Sequence, residues 1–357
     1  MDTRQVIGCM TGTSLDAIDC ALVQVAGSGL MARFEVLDFI SESLGDLSAR
    51  LRMLAEQEAH PVRDAATCAR ELALAHARLL APWCAERAID FVCVHGQTVW
   101  HRPPVSWQLM NLPVLAHELG VAVVGDLRAA DLAAGGQGAP ITPLADFLLF
   151  EQQDEPRTVV NLGGFCNITR LPGDGDSAAV RGADICACNH VLDAVARRCF
   201  DRPYDHNGEQ AAAGSIDHAA YAALAELLLM QREDHRSLGT ADELVSWVET
   251  WQQRIPGRDC ARSACAALAE TIAGSVGGSS RVLLAGGGVR NRTLVAEITA
   301  RCRAPVELTD AYGVAGEQRE AVAMAVLGTL CADRVPITLP AVTGVARAPV
   351  AGVWVRP

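Results

Sequence analysis

The chain contains no lysine, so all 30 of its basic residues are arginine. This absence excludes the phosphate-binding lysine of a P-loop and the lysine that forms a Schiff base. Acidic residues number 42, which leaves a formal net charge of −12 and no basic run. We therefore expect no nucleic-acid partner. A protein of this composition that handled a nucleoside triphosphate would need glycine turns, hydroxyl groups, arginine and a metal ion.

Long apolar runs are also absent. No stretch approaches the roughly 20 residues of a membrane span, and no charged leader precedes an apolar segment at the start. We therefore expect no membrane association and a cytoplasmic location. The 13 cysteines have no regular spacing, which favours reduced thiols over a disulfide scaffold. Cys186 and Cys188 are spaced like metal ligands, but no second cluster accompanies them, so we favour two buried thiols over a zinc site.

The 357 residues suffice for two domains with large cores. The chain opens on a strand, a polar turn and a second strand between Val6 and Val25. In the turn, Gly12 lets backbone amides approach an anion, and Thr13 and Ser14 add hydroxyl donors. The carboxylate of Asp16 is compatible with a bound anion only if a divalent cation lies between the two negative groups. The alternative interpretation is a plain hairpin turn.

Polar side chains follow the short apolar strand predicted over Ile89–Val94. They are His95, Gln97, Thr98 and His101. Because open α/β sheets hold ligands just beyond the carboxyl ends of their strands, the cluster favours a site over isolated structural histidines.

A second predicted strand, Val121–Val124, ends in the same way, with Asp126 and Arg128. Arg128 is suited to a sugar or phosphate oxygen. The alternative is an Asp126–Arg128 ion pair that pins the glycine-rich loop over residues 135–138.

The opening hairpin recurs in outline in mid-chain. A strand over Thr158–Asn161 runs into Gly163, Gly164 and Asn167 and then into a returning strand. Two such hairpins, one per domain, are a more specific signal than either alone. Asp184 follows and leads toward a helix over His190–Phe200, so it is either a helix N-cap or a general base.

A third glycine segment lies late in the chain. The apolar strand Arg281–Ala285 is followed by Gly286, Gly287 and Gly288, then by Asn291 and a helix from Thr293. A flat ring can lie against such a backbone, and the helix N-terminus adds a favourable dipole. The segment is not the dinucleotide fingerprint, because no βαβ unit opens the chain.

Two glycine hairpins and a late glycine triplet resemble the sugar kinase, actin and Hsp70 superfamily. Within it the chain is similar to the anhydro-N-acetylmuramic acid kinases. The matching motifs run in family order through the whole chain: MTGTSLDAID (10–19), HGQTVWHRP (95–103), GDLRAADLAAGGQGAP (125–140), NLGGFCNIT (161–169), GGGVRN (286–291), EA (320–321) and LPAVTG (339–344).

The resemblance implies an α/β, two-domain actin-like ATPase (ribonuclease H-like) fold with an interdomain cleft. We assign residues 1–127 plus 338–357 to the first domain and 128–337 to the second. The implied reaction uses ATP and Mg²⁺, opens the 1,6-anhydro ring of 1,6-anhydro-N-acetylmuramic acid with water, and phosphorylates O6. The product would be N-acetylmuramate 6-phosphate, in peptidoglycan recycling. The family also implies a homodimer.

The same resemblance implies a role for each matched residue. Asp184 would deprotonate the attacking water, and Asp16 would bind the metal. The other implied groups are a phosphate clamp of Gly12, Thr13, Ser14, Asp16, Gly163, Gly164 and Asn167, an adenosine site of Gly286, Gly287 and Asn291, and a sugar site of His95, Thr98, Arg128 and Glu320.

The segment from Asp184 to Asn189 departs from the family pattern. The family reads D-T-G-P-G-N there, whereas this chain keeps only the two ends. Two alternatives follow. One is a kinase of another anhydro sugar, similar to levoglucosan. The other is a nucleotide-binding regulator that has lost catalysis, with Cys186 and Cys188 as a redox or metal switch.

Overall fold

The computed structural model describes residues 3–12, 15–59, 61–233 and 242–357. The strands are β1 (Thr3–Thr11), β2 (Ala17–Ala26), β3 (Arg33–Ser43), β4 (Phe91–Val94), β5 (Gln97–Arg102), β6 (Val105–Leu109), β7 (Val123–Gly125), β8 (Arg157–Leu162), β9 (Phe165–Leu171), β10 (Arg181–Ala187), β11 (Arg281–Ala285), β12 (Val306–Leu308) and β13 (Val353–Val355).

The α-helices are α1 (Asp46–Ala55), α2 (Val62–Glu86), α3 (Leu112–Leu119), α4 (Ala129–Ala133), α5 (Pro143–Phe150), α6 (Asn189–Phe200), α7 (Glu209–Ala212), α8 (His218–Glu233), α9 (Asp242–Trp251), α10 (Gly257–Ser275), α11 (Arg292–Arg301), α12 (Arg319–Ala332) and α13 (Pro340–Thr343). None of these helices, within the described ranges, is both long and apolar enough to span a membrane.

The contacts divide the chain into two units. Unit 1 takes in the described residues up to Phe150, together with Ser177–Val180 and Gln318–Pro357, and unit 2 takes in Glu151–Asp176 and Arg181–Glu317. The predicted domain boundaries differ from this division, because they place residues 128–150, 177–180 and 318–337 in the second domain.

The position of α12 has a physical reason. A Cβ atom on Gly8 of β1 would lie 2.1 Å from the carbonyl oxygen of Ala321, so the glycine lets the backbone of α12 lie directly on β1. Helix α5 is joined to α12 by a buried ion pair between Asp146 and Arg319. Both helices therefore fold with the first sheet.

Unit 1 is built on a six-stranded sheet in the order β13-β7-β4-β1-β2-β3. Strand β1 is antiparallel to β2 and parallel to β4. Because side chains alternate along a strand, Ile7 and Cys9 face a core that includes Leu72 and Leu80 of α2. Gly8, between them, faces α12. The sheet is thus covered on both faces, which explains its continuous apolar strands.

Unit 2 repeats this arrangement. Its five strands follow the order β10-β9-β8-β11-β12, which matches β3-β2-β1-β4-β7 of unit 1 position by position. Strand β8 is antiparallel to β9 and parallel to β11. Its core packs against the alanine-rich α10. The predicted recurrence of the opening hairpin therefore extends to a recurrence of the whole sheet.

One local prediction was wrong. Asp184 does not enter a helix but lies within β10, and α6 begins only at Asn189. Residues 97–109 form the hairpin β5–β6 around Pro103 and Pro104, and Pro340 begins the short helix α13.

Candidate active site

The first glycine turn, over Gly12–Asp16, joins β1 to β2. The backbone amide of Leu15 donates to the carbonyl of Gly12 at 3.2 Å, which closes the turn. The predicted phosphate ligands Thr13 and Ser14 lie outside the described residues. Asp16 is exposed, and its Oδ1 atom accepts a hydrogen bond from the amide of Ala17 at 3.0 Å.

An exposed carboxylate of this kind fits Mg²⁺, which takes one or two protein carboxylates and completes its shell with phosphate oxygens and water. Among the described residues no three His, Cys, Asp or Glu side chains gather into a metal site. Asp16 as the metal ligand stays a prediction.

Unit 1 brings the predicted sugar residues His95 and Arg128 into direct contact. His95 is buried, and its Nε2 atom accepts hydrogen bonds from Nε and Nη2 of Arg128 at 3.0 and 2.9 Å. Its Nδ1 atom lies 2.8 Å from the carbonyl of Gly96 and donates to it. Burial, reinforced by the Arg128 charge, lowers the pKa of His95 to about 3. His95 therefore stays neutral and orients the guanidinium as an acceptor.

The glycine-rich loop after α4 holds the other side of Arg128. Nη1 of Arg128 donates to the carbonyl of Gly138 at 2.7 Å, and the Gly138 amide donates to Oδ2 of buried Asp131 at 2.8 Å. Oδ1 of Asp131 accepts from the Thr343 hydroxyl at 2.9 Å. A Cβ atom on Gly136 would lie 2.1 Å from the Asp131 carboxylate. The glycine therefore leaves the space that the carboxylate fills.

The structure shows which groups Arg128 and Asp126 contact, while the role of Arg128 toward a sugar stays a prediction. The guanidinium is held by His95 and by the loop carbonyl of Gly138. Asp126 instead accepts a hydrogen bond from the amide of Ala129 at the start of α4, at 3.3 Å. Arg128 remains half-buried, so part of its guanidinium can face a ligand.

The other two predicted sugar residues lie on separate elements of unit 1. Thr98 is half-buried on β5, and its hydroxyl lies 3.4 Å from the side-chain nitrogen of Gln108 on β6. Glu320 is half-buried in the first turn of α12. Its neighbour Arg319 donates from Nε to Asp146 at 2.7 Å, and both charges are fully buried. This pair fixes the end of the helix that carries Glu320.

In unit 2, a row of polar side chains crosses three strands. Asp184 of β10 lies opposite Asn167 of β9, and Asn167 lies opposite Asn161 of β8. Opposed residues project from the same face of a sheet. Asn161 is in turn the partner of Ala285 on β11, directly before Gly286. The row thus joins the predicted base to the predicted adenosine turn.

The second glycine turn is tied to the start of α6. The carbonyl of Gly164 accepts from the amide of Cys188 at 2.8 Å, and the carbonyl of Gly163 accepts from the amide of Asn189 at 3.0 Å. The Asn189 side chain donates to the carbonyl of Leu162 at 3.0 Å. These bonds satisfy backbone groups at the helix N-terminus and fix the glycine turn relative to α6.

The third glycine turn provides a bare backbone surface. Gly286 has φ +85°, and a Cβ atom there would lie 2.7 Å from Oδ1 of Asn161. Gly287 is exposed and has no atom within 4 Å of its Cβ position. The geometry suits a flat ring at Gly287. Asn291 is instead the N-cap of α11, where its buried Oδ1 atom accepts from the amide of Leu294 at 3.0 Å. Its predicted contact with adenosine has no support from this geometry.

The cysteines after Asp184 belong to the core. Cys186 and Cys188 are both fully buried among apolar side chains of unit 2. Burial raises the pKa of Cys186 to about 12 and that of Cys188 well above its usual value. Such thiols are unreactive at neutral pH, so the structure gives no support to a redox switch there and agrees with the simpler prediction of buried thiols.

Sequence reasoning missed three residues that organise the site: Asn161, Asn189 and Asp131. Each gave a signal. Asn161 begins the second glycine motif, Asn189 ends the segment that starts at Asp184, and Asp131 is a carboxylate among alanines before a glycine run. The sequence does not show that Asn161 and Asp184 both lie opposite Asn167 of β9, because that depends on how the strands pair.

Two sheets of the same strand order, each with a glycine turn after its first strand, define the class of an actin-like ATPase. The overall likeness to solved structures agrees with this. The (R)-2-hydroxyglutaryl-CoA dehydratase component A of Acidaminococcus fermentans superposes with a TM-score of 0.50 at 12% identity, over 90% of this chain and 96% of that one. At that identity the likeness concerns the fold alone.

A family model described as anhydro-N-acetylmuramic acid kinase matches residues 4–356. Curated relatives of that name include one from Salinibacter ruber, 36% identical over 96% of this chain and 93% of the relative. Another is from Bordetella avium, 36% identical over 97% and 94%, and a third is from Pseudoalteromonas translucida, 30% identical over 92% and 90%. The chain belongs to the anhydro-N-acetylmuramic acid kinase family. It is an ATP-dependent carbohydrate kinase, as its motifs predict.

Proposed function

We propose that this kinase opens the 1,6-anhydro ring of 1,6-anhydro-N-acetylmuramic acid and phosphorylates the freed O6. Water adds to the anomeric carbon, the bond from that carbon to O6 breaks, and O6 takes the γ-phosphoryl group of ATP. The products are N-acetylmuramate 6-phosphate and ADP. The relatives that carry the name of this activity match the chain from end to end, which supports the proposal.

The observation that carries the proposal is the row Asp184–Asn167–Asn161 beside the glycine turns of unit 2. The half-buried carboxylate of Asp184 is the base that takes a proton from the attacking water. Asn167 is its cross-strand neighbour and can hold a phosphate oxygen through its amide. Asp184 and Asn167 are opposed at the spacing of adjacent strands, about 5 Å, which supports their joint role in this proposal.

The nucleotide lies against backbone in this proposal. The turn at Gly163 and Gly164 clamps the phosphates, and the exposed backbone of Gly287 carries the adenine ring. Such binding needs no lysine, which agrees with a chain that has none. Asp16 would hold Mg²⁺, which would supply positive charge to neutralise the charge that develops during phosphoryl transfer.

Arg128 recognises the sugar. Its guanidinium is held on two sides, by the neutral His95 and by the Gly138 carbonyl. A donor that is already oriented loses little freedom when it binds a carboxylate or hydroxyl oxygen. The lactyl carboxylate of the muramic acid is the partner best matched to a fixed guanidinium, with Thr98 and Glu320 on the hydroxyl groups.

The test is sugar-dependent ADP release with Mg-ATP, together with the product mass, for the wild type and Asp184→Asn. The substitution should lower kcat by a factor of about 10² to 10⁴, the range for loss of a general base. ATP binding, measured by thermal stabilisation, should be unchanged. The product should gain one water and one phosphoryl group. Undiminished turnover in the variant, or a product that retains the anhydro ring, would refute the mechanism.

A second candidate substrate is another anhydro sugar, similar to levoglucosan. The segment after Asp184 favours it, because Ile185, Cys186 and Cys188 replace smaller residues of the family pattern. Comparison of kcat/KM for anhydro sugars with and without the lactyl group separates the two candidates. Arg128→Ala should remove the preference for the lactyl sugar if Arg128 binds the carboxylate.

We further propose that the enzyme acts in the cytoplasm, in peptidoglycan recycling, as a homodimer. The family resemblance supports all three statements. Light scattering at enzyme concentrations from nanomolar to micromolar would measure the oligomeric state. A monomer across the whole range would contradict the dimer.

A further inference from the structure

The hairpin β5–β6 carries polar side chains on one face and exposed, mostly apolar side chains on the other. Ser106 and Gln108 are two residues apart on β6, so they project to the same side. Their partners on β5 are His101 and Thr98, respectively, which therefore lie on that face as well. The opposite face carries four exposed residues: Trp100, Arg102, Val105 and Trp107.

A β-bulge brings His101 to the polar face. Thr98 and His101 are three residues apart, and in a regular strand such residues project from opposite faces. The register of β5 against β6 shifts between Thr98 and Trp100, so Val99 is the extra residue of a bulge. The side chain of Gln57, just after α1, donates to the carbonyl of Val99 at 2.8 Å and holds the bulge in place. Bulges that re-aim a side chain in this way are common beside active sites.

The hydrogen bonds of Ser106 determine which nitrogen of His101 carries the proton. The Ser106 hydroxyl donates to the carbonyl of Trp100 at 3.2 Å, and it lies 2.8 Å from Nε2 of Gln108 and 2.8 Å from Nδ1 of His101. A hydroxyl group has one proton and two lone pairs, and a carbonyl can only accept. The hydroxyl therefore accepts from both Gln108 and Nδ1 of His101. This leaves Nε2 of His101 as the nitrogen that has no proton and can accept.

This acceptor is unused. Nε2 of His101 is buried, yet none of the described residues makes a hydrogen bond to it. Burial, reinforced by the charge of Arg128, lowers the pKa of His101 to about 4, so the imidazole is neutral at physiological pH. The effect of that charge also indicates that His101 lies near the predicted sugar residue Arg128. Since buried acceptors are normally paired, Nε2 is suited to a donor that a ligand brings.

We propose that His101 recognises the 2-acetamido group of the sugar by accepting a hydrogen bond from its N–H at Nε2. This role rests on the proposed function and adds a residue to the predicted sugar site. The anhydro sugar offers two donors, the acetamido N–H and the hydroxyl group at C4, and a carboxylate such as Glu320 can accept from the hydroxyl. An amide N–H needs a partner that only accepts, which the neutral imidazole supplies at Nε2. Because neighbouring side chains cover Nε2, they must move when the sugar binds, as is common on binding.

The experiment removes the donor from the sugar and the acceptor from the enzyme in turn. In the sugar, an acetoxy group at C2 replaces the N–H by an ester oxygen and keeps nearly the same shape. In the enzyme, His101→Asn keeps an amide near the position of Nδ1, within reach of Ser106, but has no atom at Nε2. His101→Gln instead places an amide oxygen near that position. Arg102→Gln, on the opposite face of the hairpin, is the matched control.

Sugar-dependent ADP release gives kcat/KM for each enzyme on both sugars. We expect the wild type to prefer the acetamido sugar by about tenfold, the consequence of one hydrogen bond. His101→Asn should lose about tenfold on the acetamido sugar and nothing further on the acetoxy sugar, because the two changes remove the same bond. Its KM for ATP and its melting temperature should match those of the wild type. His101→Gln should recover part of the preference, and Arg102→Gln should keep all of it.

A wild type that did not distinguish the two sugars would overturn the proposal, and this measurement needs no variant to fold. Equal preference for the acetamido sugar in the wild type and in His101→Asn would also overturn it, because another group would then bind the N–H. Either result would leave the proposed kinase reaction standing. Absence of sugar-dependent ADP release from the wild type on the acetamido sugar would instead overturn the reaction and the role of His101 together.

Discussion

The two units share a sheet order but differ in the groups that follow equivalent strands. After β4, unit 1 places His95, which orients Arg128. After β11, unit 2 places Gly286 and Gly287, with no side chain at all. In unit 2, Asn161, Asn167 and Asp184 lie opposite one another on β8, β9 and β10. On the equivalent strands β1, β2 and β3 of unit 1, the opposed residues are Met10, Asp19 and Ser41.

This difference teaches how one fold can serve two ligands. Bare glycine backbone suits phosphates and a flat ring, which need close approach and amide donors. Oriented side chains suit a sugar, which needs directional hydrogen bonds. Unit 1 also contains buried charge next to its predicted sugar residues: Asp131 accepts from the loop that contacts Arg128, and the Asp146–Arg319 pair lies at the start of the helix that carries Glu320.

The largest expected loss of stability comes from breaking the buried ion pair of unit 1, and an exposed ion pair of unit 2 serves for comparison. Asp146→Asn leaves the guanidinium of Arg319, which is 1% exposed, without its counter-charge. We expect a loss of about 3–5 kcal/mol in the free energy of unfolding, the usual cost of breaking a buried pair. Urea denaturation measures it.

The matched control is Glu317→Gln in unit 2, which breaks the pair with Arg290, itself 70% exposed. Because solvent screens that pair, its loss should cost less than about 1 kcal/mol. Similar losses for the two variants would mean that the buried pair of unit 1 does not stabilise α12.

Acid should destabilise unit 1 through its histidines. Burial lowers the pKa of His76 to about 4. In the unfolded chain the imidazole binds a proton near pH 6.5, so between pH 6.5 and 4 the unfolded state holds more protons and stability falls as pH falls. From pH 7.5 to 5 the loss from His76 alone is about 2 kcal/mol.

His76→Leu is the variant that isolates this term, because leucine fills an apolar site without a titrating group. Denaturation of wild type and variant at pH 7.5 and pH 5 should show a smaller pH-dependent loss in the variant by that amount. An identical pH dependence in both proteins would remove His76 as the cause. His95 adds to the wild-type loss in the same direction, because its pKa is lowered to about 3.

Much of this fold is predictable from the sequence, because its hairpins and helices are determined by residues close together in the chain. The paired glycine hairpins and the apolar helices follow from turn chemistry and periodicity, and the recurrence of the hairpin pointed to the recurrent sheet. The hairpin β5–β6 was not predicted, because His95, Gln97, Thr98 and His101 were interpreted as a polar cluster beyond the end of a strand.

The site is less predictable because it depends on register and on contacts between distant residues. Asp184 was identified by resemblance, but its place opposite Asn167 depends on pairing within the sheet. Asp131 reaches Thr343 at the far end of the chain. Asn291 shows a role that the sequence did not indicate, because its place in a glycine motif suggested a ligand while its Oδ1 atom caps α11.

Alanine substitutions at two adjacent glycines of unit 2 should have smaller and different effects, one on stability and the other on ATP binding. Gly286→Ala forces a side chain onto a residue with φ +85° and against Asn161, so it should destabilise the protein by about 1–3 kcal/mol. Gly287→Ala meets no atom within 4 Å and should fold normally. If a ring lies on Gly287, this second variant should still raise the KM for ATP several-fold. An unchanged KM would move the adenine elsewhere.

The smallest expected effect tests whether the buried carboxylate of unit 1 acts on the sugar through Arg128. In Asp131→Asn, one side-chain oxygen can still accept from Thr343, but the amide nitrogen cannot accept from Gly138. The loop should shift, and with it the carbonyl that holds Nη1 of Arg128. We expect the KM for the sugar to rise about tenfold, the consequence of about 1.4 kcal/mol lost in binding, while the KM for ATP stays constant.

Thr343→Val supplies the control, because it removes the other hydrogen bond to Asp131 and leaves the bond from Gly138 in place. A purely structural role for Asp131 would lower stability in both variants and leave the sugar KM of each unchanged. A positioning role raises the sugar KM in Asp131→Asn far more than in Thr343→Val. That separation would show whether the buried carboxylate of unit 1 acts on the sugar through the loop that holds Arg128.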